Sequence, residues 1–408
     1  MIIMKGSLFN SKDNIFKGIL IVQIMLMIDA FFRVFDIETS QMLSLIKYIF
    51  YFFGWFWLLK GVFKNHVKVP FLYVLFLIWV TYLLLSALPE LMNPFRNYIR
   101  LKMFISGLLV IYTLPYLICA DLSVSLFRSL FKLSSYMLVV YIVLSIPIYI
   151  SDVSFLSKGL SEYITFLVEG SIIMLMLFSF QSKKANVRNV ISVVIAVVIM
   201  MLLSRRNKVV FYGGGLGLAI ILNVLNGYVS AKRKVVIIFA TFIGFVFLLF
   251  SGDVFDAFFN KMETGMSSRE LVIEDFIYDF NKTPRDWIFG RGLFGEFDGG
   301  LLNDKETGLR NGIENGYLQL ILKGGWVYLG LLILISIRSI YLGLFKSNNI
   351  FVKGCACIIL LYYLDMVGFG VMEYASLKFI YIFLSISVCS SRKWRMYSNE
   401  YLKQQLFV

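Results

Sequence analysis

Long apolar stretches recur along the whole chain, and they restrict its fold more than any other feature. Segments such as VVIIFATFIGFVFLLF (235–250) present apolar side chains on every face of a helix. A helix of about 17–25 such residues crosses the ~30 Å hydrocarbon core of a bilayer at 1.5 Å per residue. A membrane β-barrel would instead show short segments of alternating apolar and polar residues. The sequence therefore predicts an all-α, polytopic helical bundle.

Twelve segments fit this description, and they predict a single polytopic membrane domain over residues 1–408. Hydrophobic residues make up 59% of the chain, above the ~45–50% of a soluble domain. The predicted spans are residues 15–34, 41–61, 69–88, 101–120, 129–150, 160–180, 189–204, 208–226, 235–250, 326–344, 351–370 and 374–390.

The charges between these spans predict the side of the membrane on which each connection lies. Basic residues cluster after even-numbered spans, as in KGVFKNHVK (60–68), AKRK (231–234) and SRKWR (391–395). Cytoplasmic loops carry such an excess, so we expect cytoplasmic termini and an external loop over residues 251–325. Because these connections also account for the formal net charge of +14, we predict no nucleic-acid partner.

Two basic clusters fall on the predicted outer side, against this charge rule. One contains Arg205, Arg206 and Lys208, and the other contains Arg100. Cations near hydrocarbon are costly and are usually kept for a partner. A guanidinium also binds phosphate oxygens through two parallel hydrogen bonds. These clusters indicate an anionic ligand, and the alternative is chance, since loop charges bias topology only statistically.

Metal and nucleotide sites are not indicated. The four cysteines lie in or beside spans without CxxC spacing, which favours a packing role. GRGLFG (290–295) matches GxGxxG but lacks the βαβ unit of a dinucleotide site. The stretch GGGLGLA (213–219) predicts close helix packing through small residues. We therefore predict no metal and no cofactor.

Several carboxylates lie in or near the spans, among them Asp29, Glu169, Asp365 and Glu373. They could line a sugar-binding cavity or pair with basic residues such as Lys378 and Arg33. Because unpaired charges inside a membrane are costly, we expect most of them to be paired.

The external loop carries an ordered set of residues that is recognisable as a whole. The next span is preceded, in this order, by an arginine, a proline, a Gly-x-Gly turn, an acidic residue followed by asparagine, and a Gly-Gly pair. These are Arg269, Pro284, Gly290, Gly292, Glu314, Asn315, Gly324 and Gly325. The set resembles the bacterial O-antigen polymerase and ligase superfamily, and LLSRRNK (202–208) resembles its Ser-Arg turn. The resemblance implies a bundle like the GT-C class of lipid-dependent glycosyltransferases.

This resemblance implies an enzyme of the bacterial inner membrane with a periplasmic active site. Polymerases of the superfamily join undecaprenyl-pyrophosphate-linked repeat units into O-antigen or capsular polysaccharide, whereas ligases transfer the glycan to lipid A core. Ligases carry histidine where this chain has Glu314, and its single histidine, His66, lies in a predicted cytoplasmic connection. That departure favours a Wzy-type polymerase. A lipid-linked oligosaccharide flippase is a further alternative, although the two halves of the chain show no repeat.

Glycan transfer needs charge stabilisation on the leaving pyrophosphate and a base for the acceptor hydroxyl. Arg205 and Arg269 are the predicted pyrophosphate ligands, and Glu314 is the predicted base. The alternatives are a loop salt bridge for Arg269 and a helix cap for Glu314. The predicted substrate-binding residues are Arg100, Arg206, Lys208, Arg291, Asn315 and Tyr317. The implied partners are lipid-linked oligosaccharides as donor and acceptor, membrane lipid and a chain-length regulator protein.

Overall fold

A computed structural model describes residues 13–35, 41–92, 97–150, 166–202, 206–225, 270–300, 309–368 and 375–406. Within these ranges the regular structure is helical, apart from two isolated β-bridges. The prediction of an all-α fold is therefore confirmed.

The long described helices follow the apolar pattern of the sequence, and short polar helices accompany them. In chain order they are α1 (Asn14–Val34), α2 (Gln41–Lys64), α3 (Phe71–Ser86), α4 (Leu88–Leu91), α5 (Asn97–Met103), α6 (Leu109–Thr113), α7 (Val124–Ile150), α8 (Phe166–Met176), α9 (Lys183–Leu202), α10 (Arg206–Leu225), α11 (270–281), α12 (Pro284–Phe289), α13 (Gly316–Phe345), α14 (Ile350–Gly368), α15 (Leu377–Ser390), α16 (Arg392–Met396) and α17 (Asn399–Leu406). A π-helical turn (Phe104–Leu108) joins α5 to α6, and 3₁₀ turns follow α6 and α8.

Six helical segments among the described residues are long and apolar enough to cross a membrane. They lie in α1, α2, α3 with α4, α7, α13 and α14. Shorter apolar helices of 10–17 residues accompany them. The chain is therefore a multi-pass helical membrane protein. The predicted ninth span, residues 235–250, lies outside the described residues, and the count of twelve spans stays a prediction.

The chain divides into two compact units. The first contains Met1–Val193, Ile335–Ile359 and Met372–Val408, and the second contains Val194–Leu334 and Leu360–Val371. The loop between α10 and α13 belongs to the second unit, together with the carboxyl-terminal part of α14.

In the first unit, glycines allow α1 and α2 to cross closely. A Cβ on Gly18 would lie 2.6 Å from the carbonyl oxygen of Gly54, and Gly61 meets the backbone at the start of α1 in the same way. Any side chain would push these helices apart. For the GGGLGLA stretch, a Cβ on Gly213 or Gly217 would meet none of the described residues within 4 Å, so the close packing predicted there is not seen in the described part of the chain.

A buried ion pair lies inside the first unit. The Nζ of Lys378 on α15 lies 3.4 Å from Oε1 of Glu169 on α8, and each side chain is 4% exposed. Ser376 donates a hydrogen bond of 2.9 Å to the other carboxylate oxygen. Nearer the start of the chain, Asp29 pairs with Lys47 at 2.7 Å. Pairing is thus confirmed for both carboxylates, while Glu373 lies outside the described residues.

Replacing Lys378 by methionine should strongly destabilise the protein, because Glu169 would keep a buried charge without its cation. Removing one partner of a buried ion pair typically costs ~3–5 kcal/mol. We expect a clear drop in the thermal midpoint of detergent-solubilised Lys378→Met, and recovery of most of it in the double variant with Glu169→Gln. Lys47→Met, in a more exposed pair, is the control. A midpoint for Lys378→Met equal to that of this control would contradict the prediction.

Candidate functional site

The described part of the loop that precedes α13, residues 270–300 and 309–315, is a folded element with an aromatic core. Phe276 and Phe280 on α11 have ring centroids 4.2 Å apart. Trp287 on α12 and Phe297 meet Phe276 edge to face, at 5.7 and 5.3 Å. Such contacts bury large apolar rings in geometries that aromatic side chains prefer. The core therefore holds α11, α12 and the turn after them in one arrangement.

Arg291 clamps the polar side of this loop. Its guanidinium lies 2.5 Å from a carboxylate oxygen of Asp279 on α11 and 2.7 Å from one of Asp286 on α12. It also donates to the carbonyl of Glu296 at 2.8 Å. Partial burial lowers the pKa of Arg291, but its hydrogen bonds and charge contacts with Asp286 and Asp279 outweigh this effect and raise the pKa. The guanidinium is thus engaged within the loop, and its predicted contact with substrate stays a prediction.

The loop rests on a break in α13. Gly325 interrupts the helix with φ 68° and ψ −174°, and Gly290 at the end of α12 has φ 72°. A Cβ on Gly290 would lie 2.6 Å from the backbone nitrogen of Gly324. A Cβ on Gly325 would overlap the backbone at the end of α12. Both positions need glycine, for a left-handed conformation and for the close approach of two backbones.

Lys323 completes this junction from inside α13. Its side chain is 6% exposed, and its Nζ donates to the carbonyl oxygens of Gly295 at 2.8 Å and Asn311 at 3.0 Å. The backbone N–H of Arg291 donates to the carbonyl of Leu322 at 2.8 Å. The buried ammonium of Lys323 therefore attaches two separate segments of the loop, at Gly295 and at Asn311, to α13. Lys323 is not among the predicted site residues, although a cation between LQLIL and GGW is a signal for it.

Glu314 and Asn315 lie where the loop meets α13. The side chain of Glu314 is exposed. The Oδ1 of Asn315 accepts hydrogen bonds from the backbone N–H groups of Tyr317, at 3.0 Å, and Leu318, at 3.1 Å, which is the pattern of a helix N-cap. The hydroxyl of Tyr317 donates to the carbonyl of Tyr363 on α14 at 2.9 Å. The side chain that caps α13 is thus Asn315, directly after the exposed carboxylate.

Of the other predicted cations, the structure describes Arg206, Lys208 and Arg100, which belong to different units. Arg206 and Lys208 lie in the first turn of α10, in the second unit. Arg100 lies in the first unit, where its Nη1 is 2.6 Å from Oε2 of Glu90. Arg205 and Arg269 lie outside the described residues. Phosphate binding by these side chains stays a prediction.

Neither the histidine nor the described cysteines form a metal site with other described residues. His66 is in the connection between α2 and α3, where its Nδ1 lies 3.1 Å from the carbonyl of Phe63, so its predicted place between the second and third spans is confirmed. Among the described residues, the cysteines are free thiols that are buried or half-buried, as a packing role requires. No group of three or more His, Cys, Asp or Glu side chains within the described ranges could hold a metal ion.

No protein-family model, curated protein or solved structure matches the chain. In chemical terms, the junction offers a carboxylate at an exposed and well-anchored position. Such a group can accept a proton from a hydroxyl that is bound beside it.

Gly325→Ala should loosen the loop, because its methyl group would overlap the end of α12 and alanine disfavours the left-handed backbone. We expect trypsin to cleave faster after Lys282 and Arg285. The cleavage rates are measured by mass spectrometry on the purified full-length protein. Gly330→Ala is the matched control in the same helix, since its Cβ would meet nothing within 4 Å. If Gly325→Ala is cleaved at the wild-type rate, the close contact between the backbone at Gly325 and the end of α12 does not hold the loop in place.

Proposed function

We propose that this protein is a Wzy-type polymerase of the bacterial inner membrane. It joins undecaprenyl-pyrophosphate-linked oligosaccharide repeat units into O-antigen or capsular polysaccharide at the periplasmic face. The observation that carries the proposal is the exposed Glu314, held between a folded loop and a candidate membrane span. The proposal includes twelve spans in a GT-C-like bundle and an external position for residues 251–325.

The donor side of the reaction requires cations that stabilise the leaving pyrophosphate. We assign this role to Arg205 and Arg269, assisted by the cations that begin α10. In support, Arg206 and Lys208 belong to the same compact unit as Glu314. Guanidinium groups suit this task, because each can form two parallel hydrogen bonds to phosphate oxygens.

The acceptor side requires a base at a fixed position. Glu314 accepts the proton of an acceptor hydroxyl as that oxygen attacks the anomeric carbon of the donor. The bond from this carbon to the phosphate oxygen breaks, and undecaprenyl pyrophosphate leaves with the electron pair. The anchoring supports this role, because Asn315 fixes the backbone beside Glu314 through two hydrogen bonds to α13, and a preoriented base is more effective.

One observation supports a polymerase over a ligase. The position at which ligases carry histidine is Glu314, and the single histidine of the chain, His66, lies in the connection between α2 and α3. A repeat-unit polymerase uses lipid-linked oligosaccharides as both donor and acceptor. Membrane lipid and a chain-length regulator protein are the other partners in this proposal.

Glu314→Gln should stop chain growth and leave single repeat units, because an amide cannot take the proton. Arg205→Lys should be nearly as damaging as Arg205→Ala, since an ammonium lacks the bidentate fork, and loss of one such contact typically costs about 10²–10³ in rate. Polysaccharide ladders on a gel, from cells that express each variant at wild-type level, measure both effects. Glu274→Gln, on an exposed carboxylate of α11, is the control and should give normal ladders.

Long ladders from both Glu314→Gln and Arg205→Lys would contradict these roles. The two residues would then have structural roles only. Loss of ladders in the Glu274→Gln control would show instead that the loop tolerates no change of charge.

A further inference from the structure

An exposed apolar edge lies at the junction between α12 and α13. Ile288 and Phe289, at the end of α12, are 50% and 42% exposed, and Trp326 is 52% exposed. They are neighbours, because the backbone of Ile288 and Phe289 touches Gly325, the residue before Trp326. The buried aromatic core around Phe276 consists of other side chains. The three exposed side chains form a separate surface, which we name the apolar edge.

The apolar edge is continuous with a helix that fits a membrane. Gly316–Phe345 is a candidate span, and its unbroken part begins after Gly325. From Trp326 to Phe345 this part measures about 28 Å at 1.5 Å per residue, close to the ~30 Å of a hydrocarbon core. Trp326 is thus the first residue of this unbroken part, and tryptophan is enriched at membrane–water boundaries. Leu334, two turns further along, is 53% exposed, as a side chain in contact with lipid would be.

The charge beside the apolar edge matches a lipid surface. The guanidinium of Arg285 is exposed and lies 5.7 Å from the ring centre of Phe289. The neighbouring Asp286 already pairs with Arg291, so the charge presented next to the edge is positive. Apolar side chains beside an exposed cation are typical of segments that lie in the membrane interface, where phosphate groups are the counter-ions.

We propose that the apolar edge lies in the interfacial region of the bilayer, with Ile288, Phe289 and Trp326 at the boundary of the acyl chains and Arg285 at the lipid phosphates. Three side chains are too few for a protein partner, since a stable interface buries ~800 Å² on each side, whereas a lipid surface needs no matching shape. The contact fixes the height of the loop above the membrane. It is independent of the proposed glycan chemistry.

Fluorescence quenching on the full-length protein in liposomes tests this contact. An environment-sensitive fluorophore is attached at Ile288→Cys, in a background without the native cysteines, and the lipids carry a nitroxide at a shallow acyl position. Interfacial segments bury their apolar side by ~5–10 Å, which brings the fluorophore near a nitroxide at a shallow acyl position. We therefore expect the nitroxide to quench about half of the fluorescence. The matched control is Glu274→Cys, an exposed position on α11, which should stay accessible to iodide and unquenched by the lipid.

A second label at Phe289→Cys repeats the measurement if Ile288→Cys perturbs the loop. Quenching by the lipid nitroxide at either position, with protection from aqueous iodide, supports the proposal. If both positions resemble Glu274→Cys, the proposal is wrong. Protection from iodide without lipid quenching also overturns it, because a second protein chain would then cover the apolar edge. Neither readout involves glycan synthesis, so failure here is distinct from failure of the proposed function.

Discussion

The backbone contact between Gly290 and Gly325, with no side chain between them, is the constraint on which the seating of the loop on α13 depends. A helix that enters a bilayer normally satisfies its own backbone groups and offers an adjacent loop little to hold. Here the break at Gly325 exposes the helix backbone, and Gly290 brings the loop against it without an intervening side chain. The loop thereby gains a rigid base, and Glu314 gains a fixed position.

Several charged side chains in the described part of the chain form structural contacts. Lys323 is satisfied by two carbonyl oxygens, whereas Lys378 pairs with a carboxylate. Arg291 holds two aspartates of the loop. Buried charges cost free energy unless they are paired and hydrogen-bonded, so such contacts restrict where each element can lie. A cation on the predicted outer side can therefore have a structural partner, as Arg100 has in Glu90.

The sequence predicted well what depends on local pattern and poorly what depends on distant partners. Apolar runs predicted α1, α2, α7 and α14 to within a few residues, since hydropathy is a property of each segment. The same reasoning predicted close glycine packing at residues 213–219, whereas among the described residues such packing occurs, for example, between α1 and α2. Tight crossing depends on which helices become neighbours, and composition does not contain that information.

The candidate site shows the same division. Gly290, Gly324 and Gly325 were recognised as parts of one pattern, but the sequence could not show that they touch, because more than thirty residues separate them. The helix cap of α13 was considered only for Glu314, and the backbone geometry shows that Asn315 forms it. Lys323 was missed, since its carbonyl partners become visible only once the loop is folded.

The most direct test of this account is hydrogen–deuterium exchange on the wild-type protein in lipid nanodiscs. The amide of Arg291 donates to Leu322, and the amides of Phe297 and Arg310 donate to each other's carbonyls. If the loop is seated on the broken helix as a folded unit, these three amides should exchange far more slowly than unprotected peptide, in a regime that reports local opening. Exchange of all three at the unprotected rate would contradict the account, because the loop would then have no fixed attachment to α13.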